Sequence, residues 1–437
     1  MTTTYDPRHP QYLDEADVRD ELTRVYGVCH DCRRCLGFCG SFPSLFDMID
    51  RHGEHDAGLL TPAQQDRVVD ECFQCKLCLL NCPYTPELHE RQIDFPSLML
   101  RAGAMRHRTG QTPIRQRVTT QLLGRTDLVG KTATSVAPIA NRLTGAAAGS
   151  LVRRAIASVT GVSSVRLLPP YAKQRFSTWF DQRVSDPSPN RQGSVTVFPT
   201  CSVEYHDVHI GKDLVRVYER NGIECVNSRA GCCGAPWLHA GHLEQFAKVA
   251  KRNVKILAKE VGRGGDIVVP QPTCGYVLKQ DYPDHVGGPE AALVAEHTYD
   301  AAEYLMKVHD AAGSELDTDF TGAVPERITY HTACHLRAQN IGRNIGLPGR
   351  DLMMLTGAEV ELVQQCSGVD GLWGLRAAND QLSIPIAEKL GDQIVAAGGD
   401  VVAGDCDLAN TAITEQTGAR PSHPIQLIAR AYGIRED

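Results

Sequence analysis

Short apolar runs recur along the C-terminal half of the chain, and each one leads to a cysteine. Val195-Thr196-Val197-Phe198 precedes Cys201, and Ile267-Val268-Val269 precedes Cys274. Ile328-Thr329-Tyr330 precedes Cys334, and Val401-Val402 precedes Cys406. Runs of this length, rich in β-branched residues, predict buried strands. Between them, Gln245–Val261 and Ala291–Val308 carry apolar residues at helical spacing. Strands alternating with helices predict a parallel α/β sheet. Ligands of such sheets collect outside the carboxyl ends of the strands, where every one of these cysteines falls. Nearer the N-terminus, residues 16–26 predict a short amphipathic helix leading into Cys29. Val136, Ile139, Ala140, Leu143, Ala147, Leu151 and Ile156 form a helical stripe broken by Arg142, Arg153 and Arg154. That stripe lies on a membrane interface or packs on the protein's own core.

The strand–cysteine pattern is duplicated. Cys201, Cys232-Cys233-Gly234 and Cys274 recur as Cys334, Cys366-Ser367-Gly368 and Cys406, at offsets of 133, 134 and 132 residues. Three nearly equal offsets predict a repeated unit of about 120 residues.

A second duplication opens the chain. Cys29, Cys32, Cys35 and Cys39 are spaced C-x2-C-x2-C-x3-C, and Cys72, Cys75, Cys78 and Cys82 repeat that spacing, ending in Cys82-Pro83. This is the run of bacterial two-cluster ferredoxins, whose fourth cysteine ligates the other cluster. The expected sets are Cys29, Cys32, Cys35 and Cys82 for one [4Fe–4S] cluster, and Cys72, Cys75, Cys78 and Cys39 for the other. Zinc favours separated C-x2-C pairs around one tetrahedron and suits the pattern less well. Cys39 is followed by Gly40 where the motif has proline.

Composition narrows the class without deciding it. The 437 residues are 42% hydrophobic and 22% charged, ordinary for a globular protein of several domains. The opening MTTTYDPRHP has neither a basic nor an apolar signal region, so a cytoplasmic location is expected. In a reducing compartment the 16 cysteines are metal ligands or reactive thiols rather than disulfides. A net charge of −7 gives no reason to expect nucleic-acid binding. It hides an uneven distribution: residues 97–192 hold 15 Lys and Arg against Asp127, Asp181 and Asp186, a balance of +12, leaving −19 elsewhere. Such a segment meets an acidic partner or an anionic membrane surface, or is simply a solvated basic face.

The cysteine repeat resembles the "CCG" domain of heterodisulfide reductases and related iron–sulfur oxidoreductases. The whole chain resembles the C subunit of anaerobic glycerol-3-phosphate dehydrogenases. The stretches that carry this are Thr126-Asp127-Leu128-Val129-Gly130, Ile210-Gly211-Lys212-Asp213-Leu214, Cys232-Cys233-Gly234 with Pro236, and Tyr330-His331-Thr332-Ala333-Cys334-His335. Around Cys29–Cys35 and Phe42–Asp47 it is still more similar to rubrerythrin-associated members of the family. The resemblance implies an α+β multidomain protein: a two-cluster ferredoxin domain over 1–100, a basic helical connector and linker over 101–192, and CCG repeats over 193–320 and 321–437; the polar, Pro/Gly/Ser-rich composition of 181–194 marks the linker. It implies a further iron–sulfur site on Cys201, Cys232, Cys233 and Cys274, and a weaker one on Cys334, Cys366 and Cys406. The family motif has five cysteines per repeat; here Val277, Ser367 and Ala409 stand where cysteines are expected.

The function expected is electron relay within an oxidoreductase. The partner is a flavoprotein dehydrogenase subunit, a rubrerythrin-like protein or a quinone, with peripheral contact to the inner face of the membrane as a further expectation. The alternative is a thiol–disulfide reductase working at an iron–sulfur site in the repeats. Four thiolates, one on each iron, saturate a ferredoxin cluster, so no substrate site and no catalytic residue is assigned there. Gly124–Thr132 imitates a phosphate loop but has five residues between its glycines, not four. With no G-x-G-x-x-G present, any flavin belongs to another subunit. Cys225, in a strand-like run without a counterpart, reads as an inert core residue, and His331 and His335 as local hydrogen-bonding histidines.

Overall fold

The computed structural model describes residues 4–185, 192–313, 316–341, 343–369 and 371–434. The N-terminal region is helical: α1 (Glu15–Cys32), α2 (Ser41–Asp50), α3 (Pro62–Glu71), the short α4 (Leu77–Asn81) and α5 (Phe95–Arg108). The predicted helix at 16–26 extends to Cys32. It starts on Asp14, whose carboxylate accepts from the Asp17 N–H at 2.9 Å, and ends on Arg33 in the left-handed region. Thr61 and Gln64 form a reciprocal capping box on α3. The apolar faces of these helices meet around Leu22, Tyr26, Phe42, Leu45, Ile49 and Leu98.

The basic connector is also helical: α6 (Ile114–Gly124), α7 (Thr126–Ser135), α8 (Ala137–Thr144) and α9 (Leu151–Thr160). The imitation phosphate loop is thus the join of two helices. The apolar stripe largely faces solvent: Ile139 is 64% exposed and Leu151 83%. Part of the expected linker over 181–194, residues 186–191, lies outside the described residues.

Two small parallel sheets follow. The first has the order β2-β1-β3-β4, with β1 Gly193–Val197, β2 Ile223–Asn227, β3 Asp266–Val269 and β4 Thr298–Asp300. The second has the order β6-β5-β7, with β5 Arg327–His331, β6 Glu359–Val363 and β7 Val401–Gly404. The shared order confirms the duplication. The periodic stretch 291–308 is not one helix: β4 interrupts it between helices Gly288–Glu296 and Ala301–Asp310. Thr298 and Tyr299, β-branched and aromatic, pair with Ile267 and Val268, and Asp300 caps the second helix with Glu303.

Strand pairing revises one equivalence between the repeats. Val197 pairs with Val268, and its counterpart Tyr330 pairs with Ala403, an offset of 135 in the third strand. The helices that follow begin at Pro272 and Asp407, also 135 apart. Cys274 therefore corresponds to Ala409, and Cys406 corresponds to Gln271. The cysteine absent from the first repeat stands at Gln271, not at Val277. The error has a simple cause: two half-kept C-x2-C pairs, one missing its first member and the other its second, align falsely by their surviving cysteines.

The repeats face each other. The helix Pro424–Ala431 of the second shares a core with Val195, Leu214 and Tyr218 of the first. With its amide oriented to satisfy both neighbours, Gln271 donates to the Asp405 carbonyl at 3.3 Å and accepts from the Asp407 N–H at 3.2 Å. The two equivalent positions, Gln271 and Cys406, thus meet across the pseudo-symmetric interface.

Candidate iron–sulfur sites

The N-terminal cysteines gather by crossing over. Cys29, Cys32 and Cys35 share a cavity with Cys82, walled by Phe42, Tyr84 and Ile93. Cys72, Cys75 and Cys78 share another with Cys39, walled by Phe38, Phe42 and Phe95. Phe42 lines both. The local folding explains the crossing: α2 and α3 pack side by side, which brings the end of each motif to the other's loop. Four of the eight described non-glycine residues with positive φ sit in or beside cysteine loops: Arg33 (51°), Gln74 (60°), Lys76 (64°) and Thr200 (62°). Left-handed backbone outside glycine is uncommon and clusters at functional sites.

The electrostatics of these loops favours a bound cation. Burial and the neighbouring Cys82 and Cys32 push Cys35 up to about 12. Cys29 and Cys78 are also raised well above the ordinary thiol range, first by burial and then by adjacent thiols. Thiols raised in this way do not ionise unaided; a bound metal would supply the compensating charge. The donor set fits iron–sulfur better than one zinc ion. Among the described residues, only His30, Asp50 and His55 bring three donor atoms within 4.8 Å of one another. Even there the Arg33 guanidinium bonds the same Asp50 oxygen. The cysteine sets are wider than a single tetrahedral ion allows.

The first repeat's thiols form a chain. Cys201 and Cys233 lie beside Cys232, an interaction that lowers the Cys232 pKa and raises theirs, and Cys233 interacts in the same way with Cys274. The Gly234 N–H reaches Cys232 Sγ at 3.4 Å, and Gly368 repeats this on Cys366 at 3.3 Å. Both glycines have positive φ, 94° and 66°. The loop is held from behind by Asn253, which donates to the Cys232 carbonyl at 2.9 Å, and by Tyr282, which donates to the Cys233 carbonyl at 3.0 Å.

Sequence reasoning missed a contributor from outside the repeats. Asp127, on the first turn of α7, accepts from the Cys232 N–H at 3.0 Å and from the Tyr205 hydroxyl at 3.2 Å. A Cβ on Gly231 would come 2.5 Å from this carboxylate, and one on Gly130 would come 2.4 Å from the Tyr205 ring. The stretch Thr126–Gly130 is therefore a lid seated on the first repeat. The signal available was the single acid within residues 114–160, the stretch of the connector that forms α6–α9. Burial, and then the charge of Cys232, raise the Asp127 pKa. The Thr126 hydroxyl is buried beside the Cys232 sulfur with no oxygen or nitrogen partner among the described residues, an orphan donor that a thiolate or cluster sulfide would satisfy.

The second repeat's thiols share a cavity with an N-terminal one. Cys334, Cys366 and Cys406 line it together with Cys75, His331 and Ser367. Trp373 packs in one apolar cluster with Cys75 and Cys366, tilted against Phe73 with ring centroids 5.1 Å apart, and donates to the Asp70 carbonyl at 2.8 Å. His335 has partners on both ring nitrogens: Nε2 on the Gln74 carbonyl at 2.9 Å and Nδ1 on Thr273 at 3.0 Å. It ties the loop of Cys75 to the loop of Cys274. Burial pushes His331 and His335 down to about 4. Cys225 lies buried in β2, its pKa raised by that burial, and joins none of these groups.

This doubled strand-end arrangement defines a class. The family profile described as "Cysteine-rich domain" matches residues 195–279 and 328–411, so the chain carries two copies of the CCG domain. It is homologous to the C subunit of the anaerobic glycerol-3-phosphate dehydrogenase of Escherichia coli, 28% identical over 84% of this chain and 99% of that protein. It is also homologous to lactate utilization protein A 1 of Bacillus cereus, 29% identical over 46% of this chain and 80% of that one. No helix among the described residues is long and apolar enough to cross a membrane.

Proposed function

We propose that the protein is an iron–sulfur electron-relay subunit of an oxidoreductase. Its N-terminal region is a two-cluster ferredoxin domain: Cys29, Cys32, Cys35 and Cys82 hold one [4Fe–4S] cluster, and Cys72, Cys75, Cys78 and Cys39 hold the other. Cys201, Cys232, Cys233 and Cys274 hold a further cluster in the first repeat. The observation that carries the relay is the cavity shared by Cys75 and the second repeat's thiols. One residue, Cys75, lines both cavities, so the two sites adjoin and electrons cross without a diffusing carrier. The clusters supply single-electron chemistry. The chain's own residues place them: Phe42, Phe73 and Trp373 exclude water, and His335 fixes the spacing between loops.

The partner is a redox protein, either another subunit of a dehydrogenase, as the name of the Escherichia coli relative suggests and here taken to be a flavoprotein, or a rubrerythrin-like acceptor. The docking face is the connector. Ile114, Val118, Leu128, Ile139, Leu143 and Leu151 stand exposed among Arg115, Arg117, Arg142 and Arg154. Apolar tips within basic charge suit an acidic partner or a quinone-bearing anionic membrane surface. A second reading, reduction of a disulfide at the first repeat, is favoured by one feature. A polar cavity beside Cys232 is lined by Lys131, Arg175, Arg229 and Arg252 against Asp127 and Glu204, a net positive setting for an anionic substrate.

Iron and sulfide analysis of anaerobically purified protein, with spectra of Cys39→Ala and Cys82→Ala, tests the relay. About eight irons in the N-terminal region are expected. Cys39→Ala should damage the cluster of Cys72, Cys75 and Cys78, and Cys82→Ala that of Cys29, Cys32 and Cys35. Zinc in place of iron, or loss of the local cluster in each variant, overturns it.

A further inference from the structure

The second repeat keeps three of its thiols and gains something the first repeat lacks. His331 stands three residues before Cys334, as Phe198 stands three before Cys201. Phe198 is wholly buried in an apolar cluster. His331 is equally hidden, 1% exposed, yet polar. A buried imidazole needs partners for both nitrogens. Its Nε2 lies 3.0 Å from the Gln365 carbonyl. A carbonyl only accepts, so Nε2 carries the proton and Nδ1 the lone pair. Nδ1 has no partner among the described residues. His331 also lines the cavity that holds Cys334, Cys366 and Cys406. An unpaired buried acceptor therefore belongs to a residue at the wall of a three-thiol site that is one ligand short.

We propose that His331 Nδ1 is the fourth protein ligand of an iron–sulfur cluster held by Cys334, Cys366 and Cys406. The inference rests on the reading that the repeats bind clusters. Three features favour it. The tautomer is already set, because the Nε2–H bond to Gln365 is the outer contact that orients a ligating histidine. The rival histidine in the same cavity, His335, is spoken for on both nitrogens. Ser367 and Ala409 cannot serve: a serine hydroxyl does not ionise readily at neutral pH, and a methyl group has no lone pair. Imidazole is neutral where thiolate is anionic, so the substitution removes one negative charge from the site. A cluster with nitrogen ligation is reduced more readily than its all-cysteine equivalent, as histidine-ligated two-iron centres illustrate. Placed against Cys75, such a site attracts the electron from the N-terminal clusters.

The test uses the full chain, purified and reconstituted anaerobically. Iron is counted in the wild type, His331→Phe, His331→Cys and Cys366→Ser. The reduced wild type is examined for nitrogen coupling by pulsed electron paramagnetic resonance. Expected are a strongly coupled nitrogen in the wild type, loss of that signal in His331→Cys with iron retained and a lower potential, and loss of about one cluster's iron, roughly four per chain, in His331→Phe. Iron that falls in Cys366→Ser but not in His331→Phe, or a second-repeat signal without nitrogen coupling, overturns the histidine ligand and leaves the relay reading intact. Iron unchanged in Cys366→Ser as well overturns the second-repeat cluster itself. The spectroscopic arm and His331→Cys decide the matter even if His331→Phe fails to fold.

Discussion

Gly234→Ala tests whether the CCG loop is specified by backbone conformation and by tight packing. Gly234 has φ of 94°, and a Cβ built there meets the Phe246 ring at 2.9 Å, with Val249 at 3.5 Å behind it. Phe246 is wholly buried between Leu238, Val254 and Tyr282 and has little room to yield. Two costs add. Holding alanine at this φ costs about 1–2 kcal/mol, and forcing a methyl against a packed ring costs about 1–3 kcal/mol more. Gly264 separates them: its φ is 92°, but nothing lies within 4 Å of its Cβ position. Gly264→Ala should show the conformational cost alone. Global unfolding of so large a chain is not two-state. The suitable assay is native-state hydrogen exchange of the peptides spanning each site, which reports local opening free energies. Gly234→Ala should lower protection around 232–250 by about 2–5 kcal/mol, and Gly264→Ala by about 1–2 kcal/mol at its own site. Equal losses in the two variants would refute the packing argument. No loss in either would refute the conformational one.

Two further outcomes follow from buried charge. Arg101, 0% exposed, donates to the carbonyls of Tyr12 (2.7 Å) and Gln11 (2.9 Å) and pairs with Asp17. Arg101→Met should destabilise the N-terminal region by about 3–5 kcal/mol, because it leaves the part-buried Asp17 carboxylate and two backbone carbonyls without their donor, and Asp17→Asn by less; denaturant unfolding of both variants checks the order. His423 caps the helix Pro424–Ala431 and accepts the Ile425 N–H on Nδ1 at 3.2 Å, and burial holds it down at about 4 against 6.5 when unfolded. The unfolded chain then binds the extra proton between those values. Stability is full above pH 6.5 and falls by up to about 3 kcal/mol as pH drops towards 4. His423→Asn should keep the cap and flatten that part of the slope in hydrogen exchange of 424–431.

The parts of the site that the sequence displayed were those governed by spacing. Cysteines at fixed intervals within one loop must converge, so Cys29–Cys35 and Cys72–Cys78 were legible without coordinates. The strands before Cys201, Cys274, Cys334 and Cys406 were legible because buried parallel strands read as apolar runs. What depended on tertiary approach was not. Asp127 reaches Cys232 across 105 residues, and Cys75 reaches the second repeat's thiols across more than 250. Neither separation leaves a periodic trace. The equivalence of Cys274 with Cys406 failed for another reason. Offsets between cysteines measure loops as well as strands, and only the strand ladder shows that Gln271, not Cys274, occupies the place of Cys406.

Divergence of the two repeats follows from their surroundings. The first is capped by α7, whose Asp127 and Thr126 press on the Cys232 loop. In the second that place is taken by the N-terminal loop carrying Gln74 and Cys75, which His335 holds through the Gln74 carbonyl. Exposure does not account for the thiols each repeat keeps: Cys232, Cys233 and Cys274 of the first are buried, whereas Cys334 and Cys406 of the second are partly exposed and Cys366 is buried. The difference between the repeats lies in what packs on each loop, a connector carboxylate on the repeat with four thiols and a loop of N-terminal cysteines on the repeat with three.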